Sequence, residues 1–113
     1  MGVKKTTRTV ACPECGWPQQ LRRAPGDRWI LLEPEPLPSV EVPQGQRWLM
    51  TPGGWASTGP EGEPLPGGYC YIAHHYVCSR RTYTNGMPDI YAVTWSRNRA
   101  RDGLPIESIA SEP

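Results

Sequence analysis

Apolar residues along this chain come in short runs, each bounded by turn-forming residues. Residues 1–9 are polar and basic and read as a flexible tail. Leu21 sits among Gln and Arg over residues 19–24, which suits a strand. Pro25-Gly26-Asp27 then marks a turn, and Arg28-Trp29-Ile30-Leu31-Leu32, closed by Pro34, is the strongest strand of the first half. The two runs predict a hairpin. From 33 to 46, Pro34, Pro36, Pro38 and Pro43 stand among acids, a spacing that favours an extended, rigid connector. Arg47-Trp48-Leu49-Met50 predicts a short strand, Thr51-Pro52-Gly53-Gly54 a turn, and residues 55–58 a return strand. Residues 59–68 are mostly Gly and Pro and predict a loop with no capacity to pack. Tyr69 to Val77 is β-prone and aromatic, and Asn85-Gly86-Met87-Pro88 is a turn.

Residues 89–101 carry two patterns. Ile90, Ala92 and Thr94 alternate with Tyr91, Val93 and Trp95, as in a strand. Asp89 at the start, Arg97, Arg99 and Arg101 near the end and Gly103 beyond suit a helix and its dipole. The balance favours a strand or short helix through Trp95, followed by a basic, exposed segment. The expectation is a mostly β fold: a small antiparallel β domain over residues 10–96 with long Pro/Gly-rich loops and at most one short C-terminal helix. Residues 1–9 form a basic tail, and residues 97–113 a basic, then loose one.

Composition explains why such a fold needs help. The chain has 113 residues, enough for one domain; Phe is absent and only 37% of residues are hydrophobic. Gly and Pro number 12 and 14, about double their usual share. A core this thin calls for a staple, and a structural metal is one of the few available. Charge is uneven: residues 1–32 hold six Lys/Arg against two acids, and residues 33–66 one Arg against five Glu. The net charge of +1 gives no global basic field for nucleic acid, though a local basic face remains open. No apolar run reaches the length of a membrane span, and no apolar segment follows the basic start as in a signal peptide. The expected compartment is cytoplasmic, where thiols stay reduced and favour metals over disulfides.

The cysteines and histidines supply candidate ligands. Cys12-Pro13-Glu14-Cys15-Gly16 has the form of a metal knuckle: two thiolates converge and Gly permits the positive φ that follows. A redox Cys-x-x-Cys would open a helix in a βαβ unit, and here Trp17-Pro18 follows with no such pattern. The remaining Cys and both His lie in Cys70-Tyr-Ile-Ala-His74-His75-Tyr-Val-Cys78. Extended chain would separate Cys70 from Cys78 by about 26 Å, and even a helix by roughly 12 Å. Both serve one ion only if the chain doubles back. His74 with Cys78, His75 with Cys78 and Cys70 with His74 are all open pairings by spacing. Residues left over would be a surface His and a small buried Cys.

The chain resembles the small actinobacterial proteins of domain-of-unknown-function family 6083. The matching elements are Cys12-Pro-Glu-Cys15-Gly16, a strand ending Leu32-Glu33-Pro34, Val42-Pro43 before Arg47-Trp48, then Gly54, Ala56 and Cys70-Tyr-Ile-Ala-His74 with Cys78. In that family the last motif reads Cys-x-Ile-Pro-His-x-x-x-Cys, and this chain has Ala73 and Ser79 where the family often has Pro. The resemblance implies Cys12, Cys15, His74 and Cys78 as ligands and favours His74 over His75; by spacing, Cys70 and His75 stay open as alternatives. It implies no activity, since none is established for the family.

Four ligands to one structural Zn2+ leave no open position for water, so the expectation is a non-enzymatic, zinc-ribbon-like module acting as a protein-interaction or regulatory adaptor. Catalysis would need three ligands, a water and a base such as Glu14 or His75. The alternative is a nucleic-acid-binding zinc ribbon, with Arg80, Arg81, Arg97, Arg99 and Arg101 on phosphates and Tyr83 and Trp95 stacking. Candidate interaction residues are Trp48, Trp55, Arg80, Arg81, Trp95, Arg97 and Arg99. A protein partner is expected, nucleic acid is the alternative, and neither a membrane nor a small-molecule substrate is.

Overall fold

Three strands of the first third form an antiparallel meander: β1 (Thr7–Ala11), β2 (Pro18–Ala24) and β3 (Arg28–Leu32), in the order β1-β2-β3. The structure is a computed structural model that describes residues 7–60, 62–82 and 86–106. The expected β2–β3 hairpin is present, with Leu21 opposite Leu31 and Arg23 opposite Trp29. Its turn needs positive φ at Gly26 (81°) and Asp27 (60°). β1 begins at Thr7, inside the segment expected to be a tail. Thr and Arg can fill an edge ladder without burying a side chain, which a hydrophobic pattern does not register.

The pleat sorts the meander into two faces. Gln20, Ala24 and Leu32 are buried, and Ala24 and Leu32 pack with Trp48 and Ala56. On the opposite face Arg8, Arg23 and Trp29 are exposed. Trp48 belongs to the segment leading into β5 (Leu49–Met50), which pairs with β6 (Ala56–Ser57) as expected.

Two segments expected to be mere connectors are built into the molecule. The Pro-rich stretch contributes β4 (Leu37–Pro38), which pairs with β7 (Tyr69–Cys70), and a 3₁₀ turn at Ser39–Glu41. Its Leu37 and Val42 join Cys70, Ile72, Val77, Tyr91 and Trp95 in the second core cluster. In the 59–68 loop, Glu63 exchanges backbone hydrogen bonds with Met50. Gly62 lies so close to the β5–β6 hairpin that a Cβ there would stand 2.8 Å from the Leu49 Cβ.

Residues 69–77 are strand only as far as Cys70; single bridges tie Tyr71 to Trp48 and Ala73 to Leu32, and a 3₁₀ turn follows at His74–Tyr76. The ambiguity at 89–101 resolves as helix α1 (Asp89–Arg101). Tyr91, Thr94, Trp95 and Asn98 are its buried residues, the i, i+3, i+4, i+7 stripe of one helix face. The helix therefore runs past Trp95 and past the expected boundary at 96. The fold is thus small antiparallel sheets, as the mostly β expectation has it, with the strand-or-helix segment resolved as one C-terminal helix. Among the described residues, no helix is long and apolar enough to cross a membrane.

Candidate metal centre

The first half of the centre is the β1–β2 connection. Ala11 pairs with Pro18, and inside that closure Cys12 N–H donates to the Trp17 carbonyl (3.0 Å) and Gly16 N–H to the Cys12 carbonyl (2.8 Å). Gly16 sits at φ 78°, where a side chain would be strained. The tight loop turns amides toward sulfur: Glu14 N–H lies 3.4 Å from Cys12 Sγ and Trp17 N–H 3.5 Å from Cys15 Sγ.

The second half is the 3₁₀ turn after Ala73. Val77 N–H donates to the His74 carbonyl (2.9 Å), and the chain folds back far enough for His74 and Cys78 to face one point. His75 turns outward and is exposed. Cys70 stays in β7, fully buried in the apolar cluster with Leu37 and Ile72, away from the other thiols.

Cys12, Cys15, His74 and Cys78 thereby present four donor atoms, all within 4.8 Å of one another. Cys12 Sγ lies 3.9 Å from Cys78 Sγ, and Cys15 Sγ 3.6 Å from His74 Nε2. A tetrahedral ion with Zn–S near 2.3 Å and Zn–N near 2.0–2.1 Å sets edges of about 3.5–3.8 Å. No disulfide links these cysteines. The donor set fits a metal ion.

Electrostatics describe the same crowding. Burial pushes the Cys12 thiol up, but the Cys15 and Glu14 amides and the charge of His74 outweigh it and bring it down to about 7. Burial, reinforced by the neighbouring Cys15 and Cys12, pushes Cys78 up to about 12. Three thiolates cannot share this space without a cation; a divalent ion would remove the conflict. Burial opposes the charged form of His74, yet the hydrogen bond and charge of Glu33 prevail and raise its pKa.

That bond runs from His74 Nδ1 to Glu33 Oε2 at 2.6 Å, both side chains buried. With Nδ1 donating to the carboxylate, the neutral ring presents its Nε2 lone pair to a metal ion among the thiols. Asn98 Nδ2 of α1 donates to the same Glu33 oxygen (3.3 Å) and to the Val77 carbonyl (2.9 Å). Neither Glu33 nor Asn98 stands out by spacing. The one sequence signal for Glu33 was its place in the Leu32-Glu33-Pro34 match; Asn98 had none.

The candidate interaction residues divide. Trp48 (9% exposed) and Trp95 (2%) are buried in the two cores, and Trp95 Nε1–H donates to the Arg81 carbonyl (2.8 Å), so neither is a contact residue. Both fill core volume that a chain without Phe must fill with its tryptophans. Trp55, Arg80, Arg81 and Arg97 are exposed. Arg99 is half-buried and held by the Ser79 and Pro105 carbonyls, so the basic segment expected to be exposed is partly tied down. Tyr83 lies outside the described residues. Trp17 and Trp29 are exposed, and each carries an arginine: Arg101 4.2 Å from the Trp17 ring and Arg8 5.6 Å from the Trp29 ring. Glu14 and His75 line a cleft of about 340 Å³ beside Cys12 and Cys78.

Fold and site together define a small β-rich domain with one C-terminal helix, closed around a Cys3His cluster that can bind a metal ion. The chain belongs to a family of unknown function, DUF6083, which it matches over residues 3–102. No curated protein and no solved structure matches it.

Proposed function

We propose that Cys12, Cys15, His74 and Cys78 hold one structural Zn2+ and that the chain is a non-enzymatic, zinc-ribbon-like module that presents a surface to a protein partner. The convergence of three sulfurs and one imidazole nitrogen carries this reading. Thiolate-rich, four-donor sets select zinc over hard cations such as Mg2+ and Ca2+. Four protein donors also leave no ligand position for the water that a catalytic zinc requires. A cytoplasmic setting suits the thiols, which stay reduced there. The exposed Trp17, Trp29 and Trp55 support the adaptor role, because exposed tryptophans are favoured contact anchors.

Elemental analysis of the purified protein and its variants tests the reading. One zinc per chain is expected in the parent, in His75→Ala and in Cys70→Ser, and loss of zinc in Cys15→Ser and His74→Ala. Zinc retained by His74→Ala but lost by His75→Ala would refute the ligand set.

The nucleic-acid alternative loses Trp95, which is buried, as a stacking residue, and keeps Arg80, Arg81 and Arg97 as phosphate contacts. Titration with single-stranded DNA and RNA separates the two: binding that collapses with added salt would favour nucleic acid, and no binding at low salt the adaptor.

A further inference from the structure

Glu33 is held more firmly than its place after a strand requires. Its N–H donates to the Ile72 carbonyl (3.0 Å) and its carbonyl accepts from Gln20 Nε2 (3.1 Å), so the backbone is clamped on both sides. The side chain is buried, at 6% residue exposure. A buried carboxylate is costly unless donors satisfy it, and the two here come from different parts of the molecule: His74 Nδ1 and Asn98 Nδ2, both on Oε2.

Asn98 sits at the joint between α1 and the ligand-bearing segment. Its amide spans Glu33, behind one ligand, and the Val77 carbonyl, next to another ligand, Cys78. Its Oδ1 accepts from Arg101 Nη1 (2.9 Å), and Arg101 in turn lies over Trp17, just after the knuckle. Two other polar anchors of α1 land on the same short stretch, Trp95 on the Arg81 carbonyl and Arg99 on the Ser79 carbonyl, while the Tyr91 hydroxyl donates to Gln46 Oε1 (2.6 Å). Each half of the centre is therefore in touch with the helix.

We propose that Glu33 is the positioning residue of the metal centre and that, through Asn98, it makes the docking of α1 depend on the metal. The same oxygen that fixes His74 with Nε2 free for zinc holds the helix amide. An ordered His74 orders Glu33 for Asn98, and a docked Asn98 orders Glu33 for His74; coupling of this kind is reciprocal. The docked helix also walls a cleft of about 270 Å³ between Trp17, Pro34 and its Thr94–Arg97 face. The inference rests on the zinc reading above.

The test uses the full chain, with zinc affinity measured against a chromophoric chelator, the Co2+ absorption spectrum, and amide exchange of α1 with and without zinc. Glu33→Ala should lower zinc affinity about 10–100-fold, as loss of a carboxylate behind a ligating histidine does. Glu33→Gln, which keeps an acceptor for the Nδ1 proton, should recover most of that loss. Asn98→Ala should speed exchange in zinc-loaded α1 while β2–β3 amides stay protected; it carries the test if Glu33→Ala does not fold. Unchanged zinc affinity and Co2+ spectrum in Glu33→Ala would overturn the proposal and leave the zinc site standing, as would α1 exchange that ignores zinc. Failure of the unaltered chain to bind zinc would overturn the zinc reading itself.

Discussion

At the scale of single residues, two histidines that are neighbours in sequence have opposite fates. His74 is buried with both ring nitrogens engaged, and His75 is exposed. Spacing from Cys78 could not separate them, because a three- and a four-residue gap both close a knuckle. The family resemblance favoured His74, and the structure brings that residue to the thiols. Cys70 makes a comparable contrast: it is a buried apolar residue of β7, so Cys70→Ser should cost stability, about 1–3 kcal/mol by denaturant unfolding, without loss of metal. The protons follow from the thiols. With Cys78 held up to about 12 and the His74 pKa raised in the metal-free chain, zinc entering at pH 7 must displace the Cys78 proton and compete with protons for His74 Nε2. Proton competition for the thiols and for His74 therefore weakens binding as pH falls. Calorimetry in buffers of different ionisation enthalpy should record net proton release at pH 7; no release would contradict the account.

At the scale of elements, local signals were legible where the chain makes its own turns. Pro25-Gly26-Asp27 and Thr51-Pro52-Gly53-Gly54 set two hairpins where their φ preferences required them. The Cys-x-x-Cys-Gly knuckle was equally local. The helix was not legible, because Ile90 to Trp95 satisfies a period of two as well as a period of 3.6, and packing of Tyr91 and Trp95 against Leu37, Val42, Cys70, Ile72 and Val77 decides between them. The end of that helix offers a direct check. Asp102 accepts from Ser79 Oγ (2.5 Å) and makes two contacts with Arg101, whose guanidinium first and then Ser79 hold its carboxyl down to about 2. Asp102→Ala leaves the buried Ser79 hydroxyl without this partner and should cost about 1–3 kcal/mol in denaturant unfolding of the zinc-loaded protein. Gly62→Ala should destabilise the β5–β6 hairpin by about 1–3 kcal/mol, since the new methyl meets Leu49 and the Ser57 carbonyl. A thermal shift within error of the parent would show that the loop gives way.

At the scale of the whole molecule, two small clusters take the place of one large core. One lies between the meander and the β5–β6 hairpin, the other beneath α1. Leu32 belongs to the first and bridges to Ala73; Val77 belongs to the second and precedes Cys78. The Cys3His cluster brings together segments that lie 66 residues apart in sequence, Cys12 and Cys78. This long-range layer was the part hidden from the sequence. The Glu33–His74 pair spans 41 residues, and the burial of Trp48 and Trp95 is fixed by partners that no local pattern names. A chain this poor in hydrophobic residues should not keep its fold without the ion, which in comparable small sites supplies on the order of 10 kcal/mol. Chelation under reducing conditions should abolish the cooperative unfolding transition and expose Trp95 to solvent quenchers. A sharp transition persisting in chelator would show that the clusters suffice alone.

The central claim is that one zinc ion is held by three sulfurs and one histidine nitrogen. X-ray absorption at the zinc edge of the purified protein reads that shell directly. The account predicts three sulfur neighbours near 2.3 Å and one nitrogen near 2.0–2.1 Å, with the nitrogen removed in His74→Ala and kept in His75→Ala. A shell of four sulfurs, a shell of two sulfurs with added light atoms, or a metal-free protein with its cysteines oxidised would contradict it.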